Sequence, residues 1–232
     1  MTAIHHHISD ALLLEYTAGT LAEGWSIAVA THLALCPACR KRLDLMEATG
    51  GALMDAIEPD TAPERDRASW ETMLQRMKAE PVEEPAPEHP ENDRIETGRI
   101  ETVPDHAVPQ PLRSYIGAAS LDQVGWRRLG IGAAQFKVLA EGDINVRLLR
   151  VGPGRPLPEH GHGGRELTLV LKGRLRCDDE TFGPGDFTEE DEDTVHEPVV
   201  TPEGECICLI VTDAPLKFRS RIMRVVQPLL GI

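Results

Sequence analysis

The stretch Gly154-Arg155-Pro156-Leu157-Pro158-Glu159-His160-Gly161-His162-Gly163-Gly164-Arg165-Glu166-Leu167-Thr168-Leu169-Val170-Leu171-Lys172-Gly173 decides how the C-terminal half is read. On an extended strand alternate side chains share a face, so His160 and His162 point the same way, and Glu166 follows after a short turn. Glycines frame the pattern at both ends, where the chain must bend. Downstream, the segment Gly185-Asp186-(x4)-Asp191-x-Asp193-x2-His196 supplies a third imidazole that a further strand can return to the same cavity. Three imidazoles and one carboxylate facing a barrel interior suit zinc, iron, manganese, nickel or copper. The bland alternative is a scatter of surface histidines, and the fixed spacing speaks against it.

Around this stretch, short β-type runs alternate with glycine and proline: Gln135–Leu139, Asn145–Val151, Leu167–Leu171, Arg174–Asp178 and Cys206–Thr212. Turn signals between such runs, with no long amphipathic helix, predict an all-β sandwich or barrel over 112–232. The first 79 residues read differently. Ser9 can cap a helix over Asp10–Ala18, with Gly19 where it ends. Thr20-Leu21-Ala22-Glu23 matches a capping box opening a second helix that reaches Leu35. Pro37 suits the first turn of a third helix ending at Thr49, before Gly50-Gly51. Thr61-Ala62-Pro63-Glu64 opens a fourth, Arg65 to Ala79. The expected architecture is multidomain: a four-helix module over 1–79, a linker over 80–111 and the β domain.

The linker assignment rests on composition. Pro81, Pro85, Pro87, Pro90, Pro104, Pro109 and Pro111 crowd a stretch rich in acids and poor in large apolar residues, which cannot bury enough surface to offset its ordering entropy. Arg94-Ile95-Glu96-Thr97 recurs there as Arg99-Ile100-Glu101-Thr102, too short to be a folded repeat. The formal charge of −14 opposes direct contact with a phosphate backbone and favours a basic protein partner. No apolar run spans a membrane and the start Met1-Thr2-Ala3-Ile4 lacks signal-peptide character, so a cytoplasmic location is expected. In a reducing compartment the 5 cysteines, an odd number, read as metal ligands, redox sensors or buried apolar residues rather than a disulfide framework.

His32, Cys36 and Cys39 fall in the order His-x3-Cys-x2-Cys at the corner between the second and third helices. A structural zinc wants four nitrogen or sulfur ligands, and these supply three. The fourth falls among His5, His6 and His7. His7, immediately before the first helix, is the choice, with a tag remnant or a disordered start as the bland reading of the run. A bundle this small with few aromatics would take much of its folding free energy from the zinc.

The segment Gly154–Gly173 resembles the first conserved motif of cupins, and Gly185–His196 keeps the spacing of the second. It departs from that second motif with Asp191 where proline is usual, Asp193 where glycine is, and Val200 where asparagine is, which makes the turn before His196 unusual. The resemblance implies His160, His162, Glu166 and His196 as the metal ligands, with zinc or another divalent transition metal between them. Taken with His6-His7-Ile8-Ser9-Asp10-Ala11-Leu12-Leu13, Ala30-Thr31-His32-Leu33-Ala34-Leu35-Cys36-Pro37-Ala38-Cys39-Arg40 and Glu205-Cys206-Ile207-Cys208-Leu209, the chain resembles the ChrR family of zinc-binding anti-sigma factors. That resemblance implies His7, His32, Cys36 and Cys39 as zinc ligands. It also implies a helical domain that keeps an extracytoplasmic-function sigma factor from RNA polymerase in a 1:1 complex, and a cupin needed for the response to singlet oxygen or related oxidants.

Other residues carry weaker signals. Cys206 and Cys208 share one face of a strand. Facing the barrel they would lie near the metal and be open to oxidation, and facing away they are small buried hydrophobes. Cys177 reads as structural, and the acids from Glu189 to Asp193 as a solvated turn. Trp25, Trp70 and Trp126 read as core or interface anchors, and His89 and His106 as linker residues that bind nothing. The leading expectation is a regulatory binding protein that touches neither DNA nor membrane. The rival is a cupin dioxygenase or isomerase with a zinc-stabilised helical arm, which the ligand set permits but no acid/base pair or substrate clamp accompanies.

Overall fold

The computed structural model describes residues 3–58, 63–79, 107–220 and Gln227. Five α-helices are seen: α1 Asp10–Thr17, α2 Glu23–Leu35, α3 Pro37–Asp55, α4 Pro63–Ala79 and α5 Gln110–Ile116. Twelve short strands follow: β1 Arg127–Arg128, β2 Ala133–Glu141, β3 Ile144–Val151, β4 His160–Gly161, β5 Glu166–Lys172, β6 Leu175–Cys177, β7 Glu180–Phe182, β8 Phe187–Glu190, β9 Val195–His196, β10 Val199–Val200, β11 Cys206–Thr212 and β12 Lys217–Phe218. The chain groups into two compact units, Met1–Ala48 with Val103–Ile232, and Thr49–Thr102.

In the first unit a six-stranded antiparallel sheet runs in the order β1-β2-β3-β11-β5-β8, beside two three-stranded sheets, β10-β6-β7 and β12-β4-β9. The long sheet is apolar on both faces. Leu148, Leu167, Leu169, Phe187, Leu209 and Val211 point to one side, where they share a core with Leu12 and Leu13 of α1, Ile27 and Val29 of α2, and Leu112 of α5. Their strand neighbours Leu149, Val170, Cys206, Cys208 and Ile210 point to the other, into the barrel. Double-sided burial explains why β5 and β11 read as nearly continuous apolar runs, without the alternation of a half-solvated strand. Helix α2 lies close enough that a Cβ on Gly24 would stand 2.5 Å from Ile144 Cγ2 and 3.0 Å from Val146 Cγ2, so only glycine fits there. Helices α1 and α2 are thus a layer on the long sheet.

Several local expectations hold. The Ser9 hydroxyl caps α1 by accepting from Leu12 N at 3.2 Å, and Gly19 takes the left-handed φ of +67° just after it. Others need correction. The Thr20–Glu23 capping box does not form. Thr20 Oγ1 instead donates to Glu15 O, and α2 begins at Glu23 after Ala22, which offers no side-chain cap. Helix α3 passes through Gly50-Gly51 to Asp55 rather than ending at Thr49, because two glycines lower helix propensity by only about 1 kcal/mol each and impose no break. Helix α5 has no counterpart in the all-β reading. Its apolar Leu112 is buried against the same core, and Val108 just before it is fully buried, its N–H donating to Ala119 O. The Thr61 capping box, the Arg94/Arg99 duplication and most of the expected linker lie outside the described residues.

In the second unit, the end of α3 and helix α4 carry apolar side chains in the open: Leu53, Met54, Ile57, Trp70, Met73 and Met77 are between 44% and 73% exposed. Trp70, Met73 and Met77, spaced three and four apart, share one face of α4.

Candidate metal centres

The first centre forms where α2 turns into α3. Cys36 is the C-cap of α2 and Pro37 starts α3 at once, so His32 in the last turn of one helix meets Cys39 in the first turn of the next. His32 Nε2 lies 3.3 Å from Cys39 Sγ. Of the three expected candidates for the fourth position, His7 is the one brought here, with Nδ1 3.3 Å from Cys36 Sγ and 3.6 Å from Cys39 Sγ. His6 instead lies tilted against Phe182, with ring centroids 4.3 Å apart. The donor atoms of His7, His32, Cys36 and Cys39 lie within 4.8 Å of one another.

The chemistry of this set fits a thiophilic cation. His32 Nδ1 donates to Gly185 O at 2.8 Å, which leaves the Nε2 lone pair free to ligate. Burial, with the Gly185 bond working against it, brings the His32 pKa down to about 4, so the ring is neutral near pH 7. Burial likewise raises the Cys39 thiol, with Cys36 adding to the effect. A bound cation would reverse that by stabilising thiolate. Arg42 helps, reaching Cys39 Sγ at 3.6 Å while tying down Ile8 O at 2.8 Å and pairing with Asp10.

The second centre lies inside the barrel. His160 on β4 stands opposite His196 on β9 in an antiparallel pair, His162 follows β4 directly, and Glu166 begins β5. Their donor atoms also fall within 4.8 Å. His160 Nδ1 donates to Pro158 O at 2.7 Å, and its Nε2 faces His196 Nε2 at 3.1 Å. Two imidazole lone pairs aimed at one point, and both ring nitrogens of buried His162 without a hydrogen-bond partner, are what a divalent cation would satisfy. Burial first, then the neighbouring histidines, brings His162 and His196 down to about 4. Burial pushes Glu166 up to about 7, with Thr168 and Arg147 working against it. Neutral imidazole nitrogens with a buried carboxyl are a donor set that suits a divalent transition metal.

The turn before His196 is built by the unusual Asp191, whose Oδ1 accepts from Asp193 N and Thr194 Oγ1, both at 3.1 Å. An aspartate turn does here what proline and glycine do elsewhere.

A cavity of about 500 Å³ opens from this centre, lined by His160, Glu166 and His196 at one end and by apolar residues such as Leu149, Val170 and Phe182 beyond. Cys206 and Cys208 face this cavity rather than the helices, with their sulfurs 3.6 Å apart. Sequence reasoning missed three neighbours. Cys177, read as structural, places Sγ 3.4 Å from His196 Nδ1. Arg147 is buried in the cavity wall and bonds Thr212, and Thr168 donates to Glu166. Polar residues two apart at the start of each strand, Asn145 and Arg147 on β3 and Glu166 and Thr168 on β5, are the signal that marked the last two.

With this geometry in view, similarity to known proteins becomes informative. A family profile described as the ChrR Cupin-like domain matches residues 117–215. The anti-sigma-E factor ChrR of Cereibacter sphaeroides is 41% identical over 229 residues, covering 99% of this chain and 99% of that protein. In the crystal structure of Rhodobacter sphaeroides SigE in complex with the anti-sigma ChrR, one chain matches with a TM-score of 0.67 and 38% identity, covering 90% of this chain and 100% of that one. A cupin-like protein of unknown function from Ralstonia eutropha matches over 39% of this chain and 60% of its own, at 16% identity and a TM-score of 0.36.

Proposed function

The chain belongs to the ChrR family of anti-sigma factors, and from that membership we propose that it binds an extracytoplasmic-function sigma factor 1:1, withholds it from RNA polymerase, and releases it under singlet oxygen or a related oxidant. It acts as a regulatory binding protein rather than an enzyme. The observation that carries the reading is the open apolar surface of α4 and the end of α3. Six large apolar side chains left in water between residues 53 and 77 call for a protein partner of matching apolar surface. The net charge of −14 complements the basic regions of a nucleic-acid-binding partner and speeds encounter with it.

His7, His32, Cys36 and Cys39 would hold zinc, which would fasten the segment before α1 to the α2–α3 corner. His160, His162, Glu166 and His196 hold zinc or another divalent transition metal, which supplies a Lewis-acid site at the end of the cavity. Cys206 and Cys208 serve there as the redox-sensitive pair. Two thiols and one molecule of singlet oxygen give a disulfide and hydrogen peroxide, the oxygen taking both protons and both electrons. Residues two apart on a strand have Cα atoms about 6.7 Å apart, at the upper limit for a disulfide, so oxidation would pull on β11. That strand already shifts register between Ile207 and Cys208 against β5, the strand of Glu166.

Co-expression of the full chain with an extracytoplasmic-function sigma factor of the same organism tests the reading. A stoichiometric complex that represses transcription in vitro and dissociates on photosensitised singlet-oxygen production is expected. Failure to co-purify or to repress would overturn it. A Cys206→Ser, Cys208→Ser variant is expected to repress normally and to release poorly.

A further inference from the structure

His7 differs from its three companions in what holds it. His32, Cys36 and Cys39 sit on a helical corner, whereas His7 lies on an extended segment ahead of α1 and is solvent-exposed. An unrestrained segment of that kind would surrender a ligand to water easily, since each loose residue adds ordering entropy to metal binding.

The restraint comes from the cupin domain. His5 N and His6 N both donate to Asp186 Oδ1, at 2.7 and 2.9 Å, and Phe187 N donates to His6 O at 3.1 Å. On the far side of His7, Ser9 N and Ser9 Oγ donate to the two oxygens of Glu189 at 2.7 and 3.0 Å. Ile4 packs on Gly185, where a Cβ would stand 2.5 Å from Ile4 Cδ1 and where φ is +92°, so a side chain is excluded twice over. The same Gly185 presents its carbonyl to His32. Gly185, Asp186, Phe187 and Glu189 therefore grip the chain on both sides of one candidate ligand and fix the ring of another. Their own position is rigid: Asp186 Oδ2 accepts from Gly183 N at 2.7 Å, and Gly185 N donates to Val170 O on β5 at 2.8 Å.

We propose that Gly185–Glu189 form the outer wall of the N-terminal metal centre, with Asp186 and Glu189 as positioning residues that hold His7 in reach and thereby set the metal affinity of that centre. The inference rests on the reading of His7, His32, Cys36 and Cys39 as a metal site. It makes that site a product of both ends of the chain. The next residue of β8, Glu190, pairs in register with Glu166, so one strand edge adjoins both centres, and a displacement of β8 from the barrel side reaches His7 and His32 directly.

Cobalt(II) titration of the full-length, metal-free chain tests this, because a thiolate-to-cobalt absorption band reports the Cys36/Cys39 centre alone; the barrel group holds no sulfur ligand. Asp186→Ala and Glu189→Ala are expected to weaken cobalt at the thiolate centre by about ten- to hundredfold, the range typical of outer-shell partners, with cobalt uptake by the barrel unchanged. Glu189→Gln, which keeps an acceptor for Ser9 N, should recover part of the loss. In a His7→Ala background the same substitutions should have no further effect, since a positioning residue acts only through the group it positions. Unchanged affinity in both alanine variants, or an equal loss with His7 already removed, overturns the wall while leaving the metal centre standing. Absence of any thiolate band in the wild-type chain overturns the centre and the wall together.

Discussion

His32 and Gly185, 153 residues apart in sequence, are joined by a buried hydrogen bond of 2.8 Å from the imidazole Nδ1–H to the glycine carbonyl. The bond selects the tautomer that leaves Nε2 toward Cys39, and it connects the two sequence signatures, the His/Cys corner and the second cupin motif.

Metal content separates those centres. Among the described residues there are two ligand groups, so Cys39→Ser and His162→Ala should each lower the zinc or total divalent metal of purified protein by one equivalent. Elemental analysis that finds a single loss eliminating both metals would show that the groups are not independent sites.

Acidification should destabilise the metal-free chain. Folding brings His32, His162 and His196 from 6.5 to about 4, mainly by burial, and lowers His160 as well. A depressed histidine pKa gives stability that is intact above 6.5 and is lost as pH falls toward 4. Glu166, raised from 4.5 to about 7, works in the opposite sense, favouring the fold below 4.5 and losing that contribution as pH rises through 7. Between pH 6.5 and 4.5 the histidines outnumber the carboxyl, so the melting temperature should fall from pH 7 to pH 5. A rise would mean that these imidazoles are not held neutral by the fold.

Glycines in two helices should respond in opposite directions. Gly24→Ala forces a Cβ into Ile144 and Val146 and should cost about 1–3 kcal/mol in denaturant unfolding of the full chain. Gly50→Ala and Gly51→Ala meet nothing within 4 Å. Each should steady α3 by about 0.8–1 kcal/mol, read as slower amide exchange across residues 49–55.

Trp70→Ala and Met73→Ala should leave the melting temperature of the free chain within a degree or two (about ±0.5 kcal/mol for exposed sites). Binding to the sigma factor should weaken by about tenfold or more, the loss typical of an aromatic interface anchor. Equal affinity of the wild type and the double variant, by calorimetry, would place the interface elsewhere.

Most of each candidate ligand group was legible because its information is local. His160, His162 and Glu166 depend only on strand alternation and one short turn, and His32, Cys36 and Cys39 only on a helix ending one residue before proline. The Ser9 cap and the major β runs are equally short-range. Helix α5 was hidden by the prolines around it, which read as linker, although proline is at home in a first helical turn. The length of α3 was hidden because Gly50-Gly51 marks a stop only when something else ends the helix.

Other features were settled only by tertiary packing. Alternation along β11 put Cys206 and Cys208 on a common face but was silent on which, because both faces of that strand are apolar: one meets the barrel cavity and the other meets α1, α2 and α5. The same layering made α1 and α2 part of the cupin unit, brought His7 rather than His5 or His6 to the cysteines, and set Gly185, Asp186 and Glu189 behind them. Residue type and spacing determine which groups can ligate a metal. Which surfaces bury one another, and so which distant carbonyl or carboxylate stands behind each ligand, is decided by the free energy of the whole packed arrangement and has no local signature in the chain.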